Sequence, residues 1–153
     1  VNARRVEAGE EEIDQQLDVT TDSSQILSNL LPSYSPNRQK MTGSAYSLSA
    51  MIPAEAFAVT GGTPVVGGLH GPDQHHMFCP HCMSWMFTRI EGVDFFVNAR
   101  ATMFDGVAWP APWLETMTRE KLPWVEVPAT RSYEGFPPME EFGQLLKDFA
   151  EAP

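Results

Sequence analysis

The feature that most constrains this chain is a close pair of cysteines, Cys79 and Cys82, separated by Pro80 and His81. They are the only two cysteines among its 153 residues. A Cys-x-x-Cys turn supplies either two of the four ligands of a tetrahedral zinc ion or a redox-active thiol pair. Two buried thiols that pack as small apolar side chains are a third possibility. The surrounding sequence has to distinguish between these roles.

Short strands separated by turns are predicted around the cysteine pair. The thirteen prolines and eleven glycines favour short strands and turns over long helices. Strand-like segments lie at residues 45–52, 57–60, 65–69, 75–78, 84–89, 93–98 and 124–127. Near the end of the chain, Met139, Phe142, Leu145, Leu146 and Phe149 recur at helical spacing. We therefore expect a mainly β domain of short antiparallel strands with one C-terminal α-helix.

Residues 1–38 differ in composition from the rest of the chain. They contain one aromatic residue, Tyr34, and an acidic cluster at residues 10–14. A short apolar patch at residues 25–31 has helical spacing. Because such a segment can bury little apolar surface, we predict an acidic N-terminal arm that is disordered or forms one short helix. The folded body is then expected at residues 39–153.

The net charge of −10 limits the classes of partner. An acidic chain offers little to neutralise the phosphates of nucleic acid or an anionic membrane surface. No apolar run approaches the roughly 20 residues needed to cross a bilayer. Acidic residues, not an apolar segment, follow Arg4 and Arg5, which is unlike a signal peptide. We therefore expect a cytoplasmic protein with neither nucleic acid nor membrane as a partner.

The context of the cysteine pair favours a metal-type turn over redox chemistry. In thioredoxin-like folds the motif begins a helix, whereas the segments on both sides of Cys79 and Cys82 are strand-like here. A thiol–disulfide oxidoreductase using this pair remains an alternative. The nearest additional candidate ligands are His70, His75, His76 and His81, although a surface or hydrogen-bonded histidine is the commoner role. Only one of the adjacent His75 and His76 can face the site from a strand.

Four blocks of sequence, in order, resemble the glutathione-dependent formaldehyde-activating enzyme family, which shares a domain with centromere protein V. They are Gln-Lys-Met-Thr-Gly-Ser-Ala-Tyr at 39–46, Pro-Ala-Glu-Ala-Phe-Ala-Val-Thr-Gly-Gly at 53–62, Phe-Cys-Pro-His-Cys-Met-Ser at 78–84, and Pro-Trp at 123–124. Met83 stands where the family usually has glycine. The resemblance implies an Mss4-like β-tent fold. It also implies a zinc-dependent carbon–sulfur lyase that acts on adducts of glutathione with aldehydes such as formaldehyde.

The resemblance further implies two zinc ions, one structural and one catalytic. Cys79 and Cys82 match the later half of the structural site, whose early Cys-x-Cys is missing. The three catalytic cysteines would fall at Ser33, Ser35 and Arg38. Serine is a poor zinc ligand at neutral pH and a guanidinium cannot coordinate at all. We therefore expect weak or partial zinc occupancy at Cys79 and Cys82, and impaired lyase activity.

Two explanations for the missing cysteines stay open. The chain has diverged, or residues 1–38 derive from an altered reading frame or a fusion. The alternative function is a non-catalytic, metal-poor binding module, with a homodimer joined through the N-terminal arm or the loop at 109–113 as its expected assembly. A small thiol such as glutathione is the expected ligand. Arg89 and Arg100 are candidates to meet its carboxylates, although surface ion pairs are commoner.

Overall fold

A six-stranded sheet forms the larger layer of the protein. The computed structural model describes residues 2–3, 17–21 and 30–151. The strands of this sheet are β3 (Leu30–Ser33), β4 (Ser47–Pro53), β6 (Val65–Val66), β7 (Gln74–Phe78), β8 (Trp85–Ile90) and β9 (Val93–Arg100). Their spatial order is β3-β4-β9-β8-β7-β6, and every neighbouring pair is antiparallel.

A second, smaller sheet shares one apolar core with the first. It consists of β1 (Asn2–Ala3), β2 (Asp18–Thr21) and β5 (Phe57–Gly61), all antiparallel, in the order β1-β2-β5. Val19 and Phe57 from this sheet pack with Ile52, Phe87 and Val97 from the larger one. Burial of these side chains is the main favourable contribution to holding the two sheets together.

Two α-helices and a short pair of parallel strands complete the described chain. Helix α1 (Pro36–Thr42) begins with a proline, which suits the first turn, and ends at Gly43. Gly43 has φ of 59°, a left-handed conformation that glycine adopts at no steric cost. Helix α2 (Phe142–Ala150) follows a 3₁₀ turn at Met139–Glu141 and stacks Phe149 on Trp113, with ring centroids 5.9 Å apart. The parallel pair β10 (Leu114–Glu115) and β11 (Arg131–Ser132) lies between the helices in sequence.

The predicted mainly β fold with a C-terminal helix is confirmed. Six of the seven predicted strands are present within one or two residues at most of their ends, although β6 is shorter than expected. The strand predicted at 124–127 is wrong, because this segment is a turn followed by irregular chain. Pro123 and Pro128 bracket it and lack the N–H groups that a strand ladder needs. Trp124 is 74% exposed as a result.

Part of the predicted N-terminal arm belongs to the body of the fold. Leu30 and Leu31, expected in an arm that is disordered or forms one short helix, lie in β3 and pair with Ala50 and Ser49. Tyr34 is fully buried, and residues 18–21 pair with β5. The predicted boundary at residue 38 falls inside α1. Residues 4–16 and 22–29, including the acidic cluster at 10–14, lie outside the described residues.

Within the described ranges, no helix is both long enough and apolar enough to cross a membrane.

Candidate functional site

A buried carboxylate fixes the segment that carries the expected catalytic positions. Tyr34, between Ser33 and Ser35, donates a hydrogen bond of 2.6 Å to Glu115 on β10. Glu115 also accepts from Lys121 at 2.9 Å and from Ser132 at 2.8 Å. Burial alone would raise the pKa of Glu115, but these hydrogen bonds outweigh it and leave the pKa below its usual range. The ionised carboxylate therefore ties the end of β3 and the start of α1 to β10.

The three positions expected to hold catalytic cysteines lie along this fixed segment. Ser33 is 3% exposed, and its hydroxyl has no hydrogen-bond partner among the described residues. Ser35 immediately precedes α1 and is half-buried. Arg38 lies on α1 and is only 8% exposed, which is rare for an arginine. Two of the three, Ser35 and Arg38, line the same cavity.

That cavity has a volume of about 320 Å³ and a lining that mixes polar and apolar side chains. Its lining residues come from helix α1 and the residue before it, from β7 and the segment leading into it, and from the later chain at Met117 and Phe136. The lining residues are Ser35, Asn37, Arg38, Leu69, His70, Gly71, Asp73, Gln74, His76, Met117 and Phe136. The volume is at the lower end of the range for small-molecule pockets, so the cavity can take a small polar ligand. We refer to it below as the Arg38 cavity.

Two guanidinium groups lie over one tryptophan beside this cavity. The guanidinium carbon of Arg100 is 4.5 Å from the ring centroid of Trp85, and that of Arg38 is 5.8 Å from it. Arg100 also donates to the hydroxyl of Ser49 at 3.2 Å. Burial lowers the pKa of Arg38, and burial together with the charge of Arg38 lowers that of Arg100 to about 10. Both side chains are therefore cations at neutral pH.

Neither arginine has an acidic partner in the described part of the chain. The ion pairs there are His75 with Glu91, Lys121 with Glu115, and Arg131 with Asp148. Two buried cations with no counter-ion among these described residues are unusual, since the cost of desolvating a charge is normally offset by a paired charge.

His76 lies in the same buried polar region. It is 1% exposed, and its Nδ1 is 2.8 Å from the hydroxyl of Thr88. Its ring meets Trp85 edge-on, with centroids 4.7 Å apart. Burial, followed by the charge of Arg38, lowers the pKa of His76 to about 4, so the ring is neutral at pH 7. His75 points the other way, is partly exposed and contacts Glu91 at 3.3 Å, which agrees with the expectation that only one of this pair can face a site.

The cysteine turn is closed by its own backbone. The N–H of Cys79 donates to Ser84, and the N–H of Met83 donates to Cys79. Met83 has φ of 55°, the left-handed conformation for which glycine is preferred. Cys79 is 1% exposed within the apolar core and accepts a hydrogen bond of 3.4 Å from the backbone of Leu17. Such burial is typical of a structural cysteine and restricts the access that an attacking thiolate needs.

The donor set does not fit the zinc sites that the resemblance implies. Zinc in proteins takes four ligands, or three and a water. Cys79 and Cys82 supply two, and within residues 2–3, 17–21 and 30–151 no group of three or more His, Cys, Asp or Glu could hold a metal ion. His70 and His81 are exposed and do not complete a site. At the position where the resemblance implies a catalytic cysteine, Arg38 places a positive charge in place of a thiolate.

Two of the family-like blocks line a second, larger groove. A groove of about 700 Å³ is lined by residues of 39–46 and by Trp124 with its neighbours. The amide of Gln39 donates to the carbonyls of Ala45 and Glu120, both at 3.1 Å, and so joins the first block to the segment that precedes Pro123. In the loop at 109–113, Trp109 and Trp113 are half-buried and pack against Phe104 and Phe149 respectively.

The sequence indicated Arg100 as a candidate to contact the carboxylates of a ligand, but it did not predict that Arg100 and Arg38 lie over the same ring of Trp85. Arg89, the other candidate, is exposed on β8 with its guanidinium over Phe87 and does not line the Arg38 cavity. The sequence feature that could have revealed this buried polar region is the pairing of polar residues across neighbouring strands. His76, Thr88 and Asn98 are neighbours in register on β7, β8 and β9, and all three are buried.

Comparison with known proteins agrees with the four blocks. The family model described as glutathione-dependent formaldehyde-activating enzyme matches residues 30–120. The match includes Ser33, Ser35 and Arg38, so these residues lie inside the segment that the family shares. It also begins nine residues before the body predicted from the sequence.

The comparisons with curated proteins and with solved structures give no further family assignment. No curated protein matches the chain. Among solved structures, the crystal structure of a Rhodobacter sphaeroides protein matches with a TM-score of 0.49 and 10% identity, covering 60% of this chain and 83% of that one. Because the family match spans more than half of the 153 residues, the chain belongs to the glutathione-dependent formaldehyde-activating enzyme family, which relates its function to glutathione and formaldehyde at family level.

Proposed function

We propose that this chain binds a small thiol of the glutathione class, or its aldehyde adduct, without the zinc-dependent carbon–sulfur lyase chemistry of its family. The ligand class comes from family membership. The observation that carries the proposal is the buried guanidinium of Arg38, which occupies a catalytic cysteine position and lines a cavity with Ser35.

The replacement at residue 38 reverses the electrostatics of the expected metal position. A thiolate attracts Zn²⁺, whereas a guanidinium repels it, and repulsion between charges is stronger away from bulk water. The hydroxyls of Ser33 and Ser35 are neutral at physiological pH and supply no compensating charge. A zinc ion is therefore much less stable here than in a site of three thiolates.

Loss of that ion removes the chemistry that a catalytic zinc supplies. A zinc ion lowers the pKa of bound water or thiol and stabilises a developing alkoxide. A free thiol with a pKa near 8.5 is mostly protonated at neutral pH. We therefore expect the addition of glutathione to formaldehyde to run no faster with this protein than in buffer.

Exchange spectroscopy by NMR tests the proposal. Glutathione and ¹³C-formaldehyde are mixed at pH 7, and the exchange rate between free aldehyde and the S-hydroxymethyl adduct is measured with and without the protein. A variant carrying Ser33→Cys, Ser35→Cys and Arg38→Cys restores the family's donor set and is the matched comparison. The expected result is the uncatalysed rate for the wild-type chain. A zinc-dependent acceleration of about tenfold or more by the wild-type protein, abolished by a chelator, would contradict the proposal.

A further inference from the structure

The Arg38 cavity contains a positive charge that no acidic residue of the described chain compensates. Arg38 is 8% exposed, lines the cavity, and has the ring of Trp85 as its contact. Contact with an aromatic face recovers only part of the cost of removing a guanidinium from water. A buried cation in this situation is stabilised further by an anion that enters from solvent.

Neighbouring groups reinforce this charge. Arg100 lies 4.5 Å from the same ring and is also 8% exposed. His76 borders the cavity as a neutral ring and so neither adds nor removes charge at pH 7. Asp73 is the acidic residue in the lining, but it is exposed and forms no ion pair with Arg38.

We infer that Arg38, reinforced by Arg100, binds the carboxylate of a small organic ligand in this cavity. An organic anion would then occupy the place where the family holds a metal ion. This inference deepens the proposed function, on which it rests, by naming the group of the ligand that the protein recognises.

The shape and charge of the cavity favour a carboxylate over other anions. A guanidinium presents a planar fork of donors that matches the two oxygens of a carboxylate. A volume of about 320 Å³ leaves room for a short chain attached to that carboxylate. Asp73 in the lining and the net charge of −10 disfavour a multiply charged group such as a phosphate.

Isothermal titration calorimetry with three probes tests the inference. S-methylglutathione keeps both carboxylates and has no reactive thiol, its dimethyl ester removes both carboxylate charges, and acetate supplies a carboxylate alone. Titrations are carried out at pH 7 and constant ionic strength. The variants are Arg38→Met and Arg38→Lys, and Lys40→Met is the matched control, since Lys40 is an exposed cation on the same helix.

The expected pattern is specific to the guanidinium. The wild-type chain binds S-methylglutathione, while esterification and Arg38→Met each weaken binding by at least about tenfold. Arg38→Lys keeps the positive charge but loses the planar fork of donors, so its affinity for S-methylglutathione lies between those of the wild type and Arg38→Met. Lys40→Met binds like the wild type. Circular dichroism of each variant confirms that the compared chains are folded.

The probes separate failure of this inference from failure of the proposed function. If S-methylglutathione binds but Arg38→Met or esterification leaves its affinity unchanged, the carboxylate site is overturned while the proposed function stands. If acetate binds through Arg38 and S-methylglutathione does not, the carboxylate site is supported and the glutathione-class ligand is overturned. If neither probe binds to the wild-type chain at millimolar concentration, both are overturned.

Discussion

Replacement of Arg38 by methionine is expected to stabilise the protein in the absence of ligand. Methionine keeps an apolar stem of similar length next to Trp85 and removes the guanidinium of a residue that is only 8% exposed. Relief of desolvation is worth several kcal/mol, and the loss of the cation–π contact costs about 1–2 kcal/mol. The net expectation is a gain of about 1–3 kcal/mol in the free energy of unfolding.

Urea unfolding followed by circular dichroism, in chloride buffer free of carboxylates at pH 7, measures this gain. For a chain of 153 residues it corresponds to a rise in melting temperature of roughly 3–9 °C. Lys40→Met, an exposed change of the same charge, should stay within about 0.5 kcal/mol of the wild type. A residue kept for binding at the expense of stability gives this pattern. Destabilisation of Arg38→Met by more than about 1 kcal/mol would refute the reasoning, because it would show that the guanidinium holds the fold together.

Three further predictions concern other positions. Met83→Gly should raise the free energy of unfolding by about 0.5–1 kcal/mol, since glycine relieves the left-handed strain of the cysteine turn at some entropic cost in the unfolded chain. Glu115→Gln should cost about 2–3 kcal/mol at pH 7 in urea unfolding, because it weakens charge-assisted hydrogen bonds from Tyr34 and Lys121. His76→Asn should flatten the pH dependence of stability between about pH 6.5 and 4, as measured by thermal melts.

The pH dependence of stability expected from Glu115 and from His76 follows from the direction of each pKa shift. The pKa of Glu115 is lowered in the folded state, so its contribution is present above its unfolded pKa and is lost as the pH falls through the folded value. The pKa of His76 is also lowered, to about 4, so the unfolded chain takes up a proton first and stability falls as the pH drops below about 6.5. The Glu115 prediction would be contradicted if the melting temperature of Glu115→Gln fell as steeply with decreasing pH as that of the wild type. The His76 prediction is wrong if the stability of His76→Asn depends on pH as steeply as that of the wild type. Destabilisation by Met83→Gly would show that the left-handed backbone at Met83 is not strained.

The strands and the C-terminal helix could be predicted because local patterning determines them. Segments such as 84–89 and 93–98 alternate or cluster apolar residues between turn signals, and helix α2 has a clear apolar face. Strand β3 could not be predicted, because two adjacent leucines at 30–31 also suit a helix. Its pairing with β4, whose partner residues lie 14 to 20 positions further along the chain, decides the conformation.

The candidate site could be predicted only in part. The resemblance places catalytic cysteines at positions 33, 35 and 38, and the absence of thiolates at Ser33, Ser35 and Arg38 can be read directly from the sequence. The burial of Arg38 does not follow from the sequence, since arginine at an exposed helix position is the usual case. It arises from a tertiary contact with Trp85, a residue on a distant strand, and the same contact brings in Arg100.

Zinc stoichiometry tests most directly whether a positive side chain has replaced the metal in this fold. The wild-type chain is produced in zinc-supplemented medium, purified without chelators, desalted, and analysed by inductively coupled plasma mass spectrometry. We predict well below one zinc ion per chain, with an increase towards one ion in the variant that restores cysteine at positions 33, 35 and 38. Two tightly held zinc ions per wild-type chain would contradict the substitution of Arg38 for the metal site.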